Sequence, residues 1–477
     1  MDRGGQSVEH VMGRPEPGCE LSPPGRRFRK RPAPPRTVWV VGLLLALALV
    51  LRLGYVAATP GYEAIDDAHN YDVHARSIAA GHGFARIGSG PSGETAFRPP
   101  GYPYLLAGVY SLSGVERARS STRMLAGRVA NAVVGTVIVA LIGVLSAQLF
   151  GRRLALVAMA LGAVYLPLIL VSGSLVSEPL FAALLLGALA AAVQHRRSAR
   201  RSRWTLVAGA LGGLAILTRP NAAILLAPLA VAVWNGRPRW SWRALAPPAA
   251  LVAVSLVAVA PWTIRNAVVL DSFVPVSTQF GTALAGTYND AARTDQQHPA
   301  SWRSLRRVPD YQYLVRRWRQ IPEPALEAKL RAAALRYIDH HPSYVAPVAF
   351  WNTARMLDLA GMSWSRHTAS TISIGPRWAD AGVVCFWLFA VLAIAGALTP
   401  RARQTPRYVA AVPALLFLSV VFLAVETPRY RTGIDPFIVM LASLALLGAW
   451  DARAARKRRP APRSPVPRRV TTRGGRE

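Results

Sequence analysis

The chain has 477 residues, a formal net charge of +32 at pH 7, 52% hydrophobic residues and a mean hydropathy of +0.26. Long apolar runs recur along its whole length, which excludes an ordinary soluble protein. Its arginines lie mainly between those runs, a distribution that favours contact with anionic lipids over nucleic acid. The two cysteines, Cys19 and Cys385, fall in a basic tail and in an apolar run, so we expect no disulfide.

The apolar runs indicate membrane spans. A helix rises about 1.5 Å per residue, so about 20 residues cross the hydrocarbon core of a bilayer. Two of the runs are short, and we therefore expect an all-α polytopic membrane protein with about ten transmembrane helices, within a range of about nine to twelve. The runs are 38–58, 125–150, 153–171, 175–194, 204–218, 220–234, 244–264, 382–399, 407–425 and 432–450.

Arginine-rich connections alternate with arginine-poor ones, and this alternation predicts the orientation. The connections "HRRSARRSR" (195–203) and "TPRARQTPR" (399–407) are rich in arginine, whereas "SGSLVSE" contains none. The positive-inside rule then predicts that both termini are cytoplasmic in a plasma-membrane protein. The expected organisation is two disordered basic cytoplasmic tails, 1–37 and 451–477, and two large extracytoplasmic loops, 59–124 and 265–381.

The first large loop carries two adjacent carboxylates, Asp66 and Asp67, in "YEAIDDAHNY". The residues that follow have helical periodicity, with Tyr71 on the apolar face. One interpretation is structural, because carboxylates at a helix start cap free backbone N–H groups. The other is chemical, because a carboxylate at a membrane face can act as a general base, and a second carboxylate beside it raises the pKa of one of the pair.

An ordered set of segments extends from about residue 40 to about residue 450. The segments are "DAHNYDVHARSIAAGHGF", "TAFRPPGYPYLLAGVYSLSG", "SGSLVSEPLFAALL", "LTRPNAAILLAP", "PWTIRNAVVLDSFVPVSTQFG", "HHPSYV" and "ETPRYRTGIDPFIVMLAS". Together they resemble the GT-C superfamily of polytopic glycosyltransferases, and the ordered set is more specific than any single piece. The resemblance is greatest to the branch that contains protein O-mannosyltransferases and lipid A aminoarabinose transferases.

This resemblance implies a hexosyl- or pentosyltransferase of GT-C type, with residues 38–450 as its catalytic module. Such an enzyme moves a sugar (mannose, arabinose or similar) from a polyprenyl-phosphate donor to a hydroxyl of a protein, lipid or glycan on the extracytoplasmic face. Asp67 matches the position of the general base. Asp66 precedes that position, where some relatives have an acid after it, and is expected to tune its neighbour. No cofactor is required, and a divalent metal is optional.

Transfer from a lipid phosphate also requires cationic groups that hold the phosphate as it leaves. Arginines predicted at the outer face, next to proline-marked helix ends, are candidates for this role. Arg219 and Arg429 have the stronger case, because short outer connections otherwise avoid arginine. Snorkelling to the interface is the alternative for each candidate. The candidates are Arg98, Arg219, Arg265, Arg429 and Arg431.

Three further residues are expected near the substrate. Glu178 lies at the outer end of a span with no basic neighbour in sequence, so we expect it to orient the substrate or to pair with an arginine of another loop. A helix cap is the alternative for Glu178. Tyr71 ends the D-A-x-x-Y pattern and Tyr430 completes an R-Y pair, and the resemblance implies that both contact the substrate.

The second large loop contains "EPALEAKLRAAALRYIDHHPSYV" (323–345). Its apolar residues, including Leu326 and Leu330, recur at helical spacing, which predicts an amphipathic helix lying on the membrane. His340 and His341 end this helix, and without further ligands nearby in sequence they favour a helix end over a metal site.

Two other functions compete with glycosyl transfer. A transporter or flippase of a lipid-linked molecule places charged groups at mid-span, in broken helices. Here the ionisable groups gather at the outer ends of the predicted spans, which favours chemistry at the membrane surface. A non-catalytic scaffold of the same fold is the third interpretation, and the retained carboxylates and arginines argue against it.

Overall fold

A computed structural model describes residues 35–85, 93–234, 238, 240–318, 320–423 and 428–458. Within these ranges the regular structure is helical, and the pairing between Ala85 and Glu94 is an isolated β-bridge. The expectation of an all-α protein is confirmed. Most of the two tails that were predicted to be disordered lies outside the described residues.

The helices are numbered in chain order. They are α1 Pro35–Ala58, α2 Asp66–Ala79, α3 Gly101–Ser113, α4 Ser120–Phe150, α5 Arg152–Val164, α6 Leu166–Ser172, α7 Glu178–His195, α8 Arg201–Thr218, α9 Leu226–Val233, α10 Trp242–Leu270, α11 Gln279–Thr287, α12 Asp290–Arg293, α13 Pro309–Arg316, α14 Glu323–His340, α15 Val345–Met356, α16 Met362–Ser370, α17 Pro376–Ala397, α18 Arg407–Val421 and α19 Asp435–Arg458. Short 3₁₀ helices cover Pro220–Leu225, Leu305–Arg307, Pro342–Tyr344, Ala402–Gln404 and Pro428–Gly433.

Six of these helices are long and apolar enough to cross a membrane by length and composition, namely α1, α4, α7, α10, α17 and α19. Helices α5 and α6, which are bent by 58° at the break between them, form a seventh candidate if the pair is counted as one span. The stretches Pro220–Val233 and Arg407–Val421 are apolar but shorter. A helix of about 14 residues is only about 21 Å long, less than the roughly 30 Å of a hydrocarbon core, so these two stretches do not count among the six by length.

The largest apolar cluster joins α4, α7, α8, α9 and α19 in the centre of the helical bundle. Ile138, Leu186, Leu189 and Leu229 are among its buried members. Burial of each aliphatic side chain contributes about 1.5–3 kcal/mol when it leaves water, but less in lipid, where close packing replaces the hydrophobic effect. This bundle is the rigid support on which the outer loops rest.

In the first loop, α2 packs against α3 and α4. Tyr71 and Tyr102 meet edge to face, with ring centroids 4.9 Å apart. Asp72 forms a bidentate pair with Arg123 of α4, at 2.9 Å and 3.0 Å, and accepts a hydrogen bond from Tyr110 at 3.0 Å. Both charged side chains are only 6% exposed, so the pair fixes the orientation of α2 against the bundle.

In the second loop, α14 packs against α11, a contact that the amphipathic pattern by itself did not predict. Leu330 and Ala334 are buried in one cluster with Leu284 and Ala285 of α11. The two helices approach closely at Gly281, where a Cβ atom would lie 2.4 Å from the carbonyl oxygen of Glu327. The apolar face of α14 is therefore satisfied by protein, because α11 supplies a matching surface that the local sequence pattern does not reveal.

Candidate active site

A cavity of about 810 Å³ opens between the first loop, the end of α8, α11 and the 3₁₀ helix Pro428–Gly433. It is bounded by polypeptide segments that are distant in sequence. Most of the predicted site residues line it, and these are Asp66, Asp67, Tyr71, Arg98, Arg219, Arg429 and Tyr430. Glu178 lies behind this lining and contacts two of its arginines.

Asp67 lies in the first turn of α2 and forms ion pairs with two arginines. Its Oδ1 pairs with Nη2 of Arg98, and its Oδ2 pairs with Nη2 of Arg429. Burial by itself raises the pKa of Asp67, but the charges and hydrogen bonds of Arg98 and Arg429 outweigh burial and hold that pKa below its ordinary value. The carboxylate is therefore ionised in this state of the protein.

This direction is opposite to the expectation that the acidic pair would raise one pKa. Asp66 is exposed, and no described residue forms an ion pair with it. Solvent screens the charge of an exposed carboxylate, whereas the two guanidinium groups contact Asp67 directly. The arginines, one of them 362 positions away, determine the state of Asp67.

Neither carboxylate caps α2. The N-cap residue is Ile65, without a side-chain cap hydrogen bond. Asp66 has a φ of 45°, in the left-handed region that aspartate tolerates better than most residues. Both acids still lie in the first helical turn, where negative charge is favourable, but the contacts of Asp67 are to arginines.

Glu178 begins α7, and its side chain is 4% exposed. Its Oε1 pairs with Nη1 of Arg219 at 2.8 Å and with Nε of Arg429 at 3.3 Å. No side-chain hydrogen bond caps α7 at Ser177. Of the interpretations offered by the sequence, the pairing with arginines of other loops is the one that these contacts match.

Aromatic rings support the arginines. The guanidinium of Arg219 lies 4.7 Å from the ring centroid of Tyr430, and that of Arg429 lies 5.5 Å from it. Arg98 lies 5.7 Å from the ring centroid of Tyr71, whose hydroxyl meets Ser177 Oγ at 3.3 Å. Such cation–π contacts orient a guanidinium without neutralising its charge.

The ion-paired cluster contains one more arginine than carboxylates. Three arginines face two carboxylates, so the formal sum of these pairs is +1, and the exposed carboxylate of Asp66 on the cavity wall offsets it. Nε of Arg98 is buried and makes no hydrogen bond with the described residues, whereas Nε of Arg429 has the ion-pair contact with Glu178 at 3.3 Å. A buried donor without an acceptor is costly, and an anion in the cavity would satisfy it.

Arg265 does not line this cavity, in contrast to its predicted grouping with the other arginines. It lies in α10, and its Nη1 donates to Thr95 O at 2.8 Å while Nη2 donates to Phe84 O at 3.1 Å. Its guanidinium packs 4.8 Å from the ring centroid of Trp262. Arg265 therefore secures the backbone of the first loop, because the rotation of α10 turns its side chain toward that loop.

Arg431 also turns away from the cavity of about 810 Å³. It pairs with Asp435 at 2.9 Å and with Asp358 at 3.1 Å, and it donates to Met356 O at 2.7 Å. These three side chains are 3–4% exposed.

The sequence interpretation did not single out the wall contributed by the second loop. Gln279 lies in this wall and accepts from Nη1 of Arg98 at 3.4 Å. Phe280 and Trp302 also line the cavity, and Trp302 Nε1 donates to Thr282 O at 3.2 Å. The segment "PVSTQFG", one of those that carry the family resemblance, contains the first two of these residues and was the available signal.

No group of three or more His, Cys, Asp or Glu that could hold a metal ion occurs within the described part of the chain. The expectations about cofactors and metals stay predictions. The arrangement as described offers an anion site of arginines with an ionised carboxylate inside it.

Comparison with known proteins supports the family resemblance. Residues 97–264 match the family model described as dolichyl-phosphate-mannose-protein mannosyltransferase. The structure is similar to the oligosaccharyltransferase AglB of Archaeoglobus fulgidus in complex with an inhibitory peptide and a dolichol-phosphate, with 13% identity, a TM-score of 0.51 and coverage of 90% of this chain and 52% of that one. The fold is of the GT-C type.

A second structure of the same archaeal enzyme, tethered to an acceptor peptide, gives 14% identity and a TM-score of 0.53, covering 88% of this chain and 50% of that one. The chain thus spans about half the length of these GT-C proteins. ArnT from Cupriavidus metallidurans, bound to undecaprenyl phosphate, gives 17% identity and a TM-score of 0.42, with coverage of 88% and 80%. No curated protein matches the sequence. With its six or seven candidate spans, the chain is a multi-pass membrane protein.

Proposed function

We propose that the protein is an integral-membrane glycosyltransferase that moves a sugar from a polyprenyl-phosphate donor to an acceptor hydroxyl. The observation that carries this proposal is the cavity in which Asp67 is flanked by Arg98 and Arg429, with Arg219 beside them. The match to a mannosyltransferase family model and the fold shared with an enzyme bound to dolichol-phosphate support it.

The arginines would bind the donor phosphate. Guanidinium groups make bidentate, charge-assisted hydrogen bonds to phosphate oxygens, and the buried Nε of Arg98, which makes no hydrogen bond with the described residues, is an available donor. As the bond between the sugar C1 and the phosphate oxygen breaks, its electron pair stays on the phosphate, and the arginines stabilise that charge. Because the arginines provide this positive charge, we expect that no metal is required. A chelator should therefore leave the rate of sugar transfer unchanged.

Asp67 would be the general base. The acceptor oxygen attacks C1 of the sugar, and its proton passes to the carboxylate of Asp67. Paired with two arginines, this carboxylate is a weak base. Donor phosphate competes for the same guanidinium groups, so donor binding loosens the pairs, raises the pKa of Asp67 and prepares it to accept the proton.

The rest of the cavity would hold the sugar. A volume of about 810 Å³ lies within the range of about 300–1,000 Å³ that is typical of small-molecule sites. Amide side chains at Asn70, Asn221 and Gln279 offer both donors and acceptors to sugar hydroxyls, and Trp302 offers a flat apolar face. This size favours a donor that carries a single sugar such as mannose or a pentose.

The enzyme would work on the extracytoplasmic face of the plasma membrane, with both termini cytoplasmic, as the arginine alternation predicts. Exposed positions on the two sides test this orientation. In a variant without Cys19 and Cys385, His82→Cys should react with an impermeant thiol reagent on whole cells and Ser202→Cys should not. Labelling of Ser202→Cys from outside would contradict the orientation.

The activity is tested by transfer of sugar from a radiolabelled polyprenyl-phosphate donor into membranes that contain each variant. Asp67→Asn retains size but cannot accept a proton, so transfer should fall about 100- to 10,000-fold while donor binding survives. Asp66→Asn is the matched control and should have a much smaller effect. Transfer at the wild-type rate by Asp67→Asn would show that the carboxylate is structural, and donor translocation without transfer would identify a flippase.

A further inference from the structure

Glu323, the first residue of α14, accepts hydrogen bonds from two separate segments of the chain. Its Oε2 accepts from Thr95 Oγ1 at 2.6 Å, and its Oε1 accepts from the backbone N–H of Ala96 at 2.9 Å and from Thr278 Oγ1 at 2.7 Å. The three donors are buried. A further backbone bond, from Thr278 N to Ala96 O at 3.0 Å, joins the same two segments directly.

Each segment leads into the cavity within a few residues. Thr95 and Ala96 precede Arg98, and Phe97 N donates to Thr95 Oγ1 at 2.9 Å, which fixes the turn between them. Thr278 is followed by Gln279, the side chain that meets Arg98 at 3.4 Å. The carboxylate of Glu323 thus holds both segments that lead to Arg98 and Gln279, and these two cavity-lining residues contact each other.

The contacts of this position favour a carboxylate. A carboxylate only accepts hydrogen bonds, and here it accepts from two threonine hydroxyls and from one backbone N–H. A glutamine could keep its oxygen toward Ala96 N–H, but its NH₂ group would have to donate to Thr95 Oγ1, which already accepts from Phe97 N. The change reverses one bond and removes the charge that strengthens all three, although the volume is unchanged.

We infer that Glu323 is a positioning residue, which sets Arg98 and Gln279 in the cavity and couples α14 of the second loop to the anion site. This inference rests on the proposed function for its consequence in donor binding. The linkage itself is a property of the hydrogen bonds, so it can be measured without any ligand. A shift of α14 would move Arg98 relative to Asp67.

The test compares Glu323→Gln with Glu327→Gln in the full-length protein in detergent. Glu327 lies one turn further along α14, and its side chain is 15% exposed and pairs with Arg331 at 3.5 Å. Binding of undecaprenyl phosphate should weaken roughly tenfold in Glu323→Gln, as expected for a displaced charge-assisted contact, and should not change in Glu327→Gln.

A double-mutant cycle separates positioning from general destabilisation. If Glu323 acts through Arg98, Glu323→Gln should weaken binding in the wild-type background but have little further effect in Arg98→Ala. An equal loss in both backgrounds, or no loss in either, would overturn the inference.

Hydrogen–deuterium exchange of the peptide that contains Ala96 tests the linkage in protein to which no lipid phosphate is bound. Exchange there should rise in Glu323→Gln and stay unchanged in Glu327→Gln. Unchanged exchange in both variants would refute the linkage. If wild-type protein failed to bind undecaprenyl phosphate while exchange rose as expected, the proposed function would fall and the linkage would stand.

Discussion

Arg429 and Arg431 lie two residues apart on the same 3₁₀ helix, and both line a small cavity of about 70 Å³, yet their ion-pair partners and charge balance differ. Arg429 belongs to a cluster of three arginines and two carboxylates at the cavity of about 810 Å³, with side chains 4–22% exposed. Arg431 belongs to a cluster of one arginine and two carboxylates, Asp358 and Asp435, with side chains 3–4% exposed.

The difference shows how a charge cluster can be assigned before any ligand is seen. Around Arg431 every close contact is internal, including a ring contact with Phe386, and carboxylates exceed arginines. Around Arg429 the ion-paired arginines exceed the carboxylates, and the buried Nε of Arg98 makes no hydrogen bond with the described residues. The first arrangement is complete as an anchor, whereas the second is completed by an anion.

The largest effect should come from removal of the anchor. Arg431→Ala leaves two buried carboxylates without a cation, and breaking such a pair costs about 3–5 kcal/mol in the free energy of unfolding. We expect strongly reduced yield and a lower melting temperature in detergent. The control is Arg366→Ala, which removes an exposed, solvent-screened pair with Asp380 and should change the melting temperature little. Equal stability of the two variants would contradict the assignment.

A smaller and different effect is expected at Arg429. Arg429→Ala should weaken binding of a polyprenyl phosphate about 10- to 100-fold, the value of a hydrogen bond to a charged group. The melting temperature should fall less than in Arg431→Ala, because Asp67 keeps Arg98 and Glu178 keeps Arg219. Arg429→Lys should recover only part of the affinity, because lysine lacks the planar fork. Equal donor binding by wild type and both variants would assign this residue to structure.

Arg219 should have a still smaller effect on donor binding, because it pairs with Glu178 at 2.8 Å. In Arg219→Ala, Glu178 retains only Arg429 and draws that guanidinium away from the phosphate. The additional change Glu178→Gln removes this pull and should restore part of the affinity. If affinity does not recover in the double variant, Arg219 contacts the phosphate itself.

The smallest effect concerns pH. The pKa of Asp67 is lower in the folded than in the unfolded protein, so its pairs stabilise the fold above the ordinary carboxyl pKa of about 4, and this stabilisation is lost as pH falls further. Asp67→Asn lacks the pairs at every pH. The difference in melting temperature between wild type and this variant should therefore shrink between pH 7 and pH 3, and a constant difference would contradict the pairing.

The sequence predicted the helical class and most members of the cavity, because chemistry-bearing residues at proline-marked outer ends can be recognised locally. Asp67 and Arg98 are examples, and the structure brings them together. The sequence-based prediction grouped Arg265 wrongly with the arginines of the cavity, because the direction of a side chain at a helix end depends on the rotation of the whole helix. The roles assigned to these residues stay predictions until the experiments above are done.

Other features could not be obtained from local patterns because they depend on distant contacts. The pKa of one acid of the pair was expected to rise because Asp66 and Asp67 are adjacent in sequence, whereas the contact of Arg429 with Asp67 is not visible there. Glu323 carries no motif, and its importance comes from donors 45 to 228 positions away. Hydropathy also does not reveal where a 3₁₀ segment such as Pro220–Leu225 interrupts an apolar run.

The backbone at Asp66 places the two acids under separate constraints. With a φ of 45°, this position accepts glycine, asparagine or aspartate at low cost. Alanine at this position would strain the backbone, and that strain is separate from the loss of the carboxylate charge. Position 67 is constrained by charge. Alanine scanning of the pair would therefore confuse conformational strain at one residue with lost chemistry at its neighbour. Among homologues, the first position should vary among residues that tolerate a left-handed backbone, while the second should stay a carboxylate.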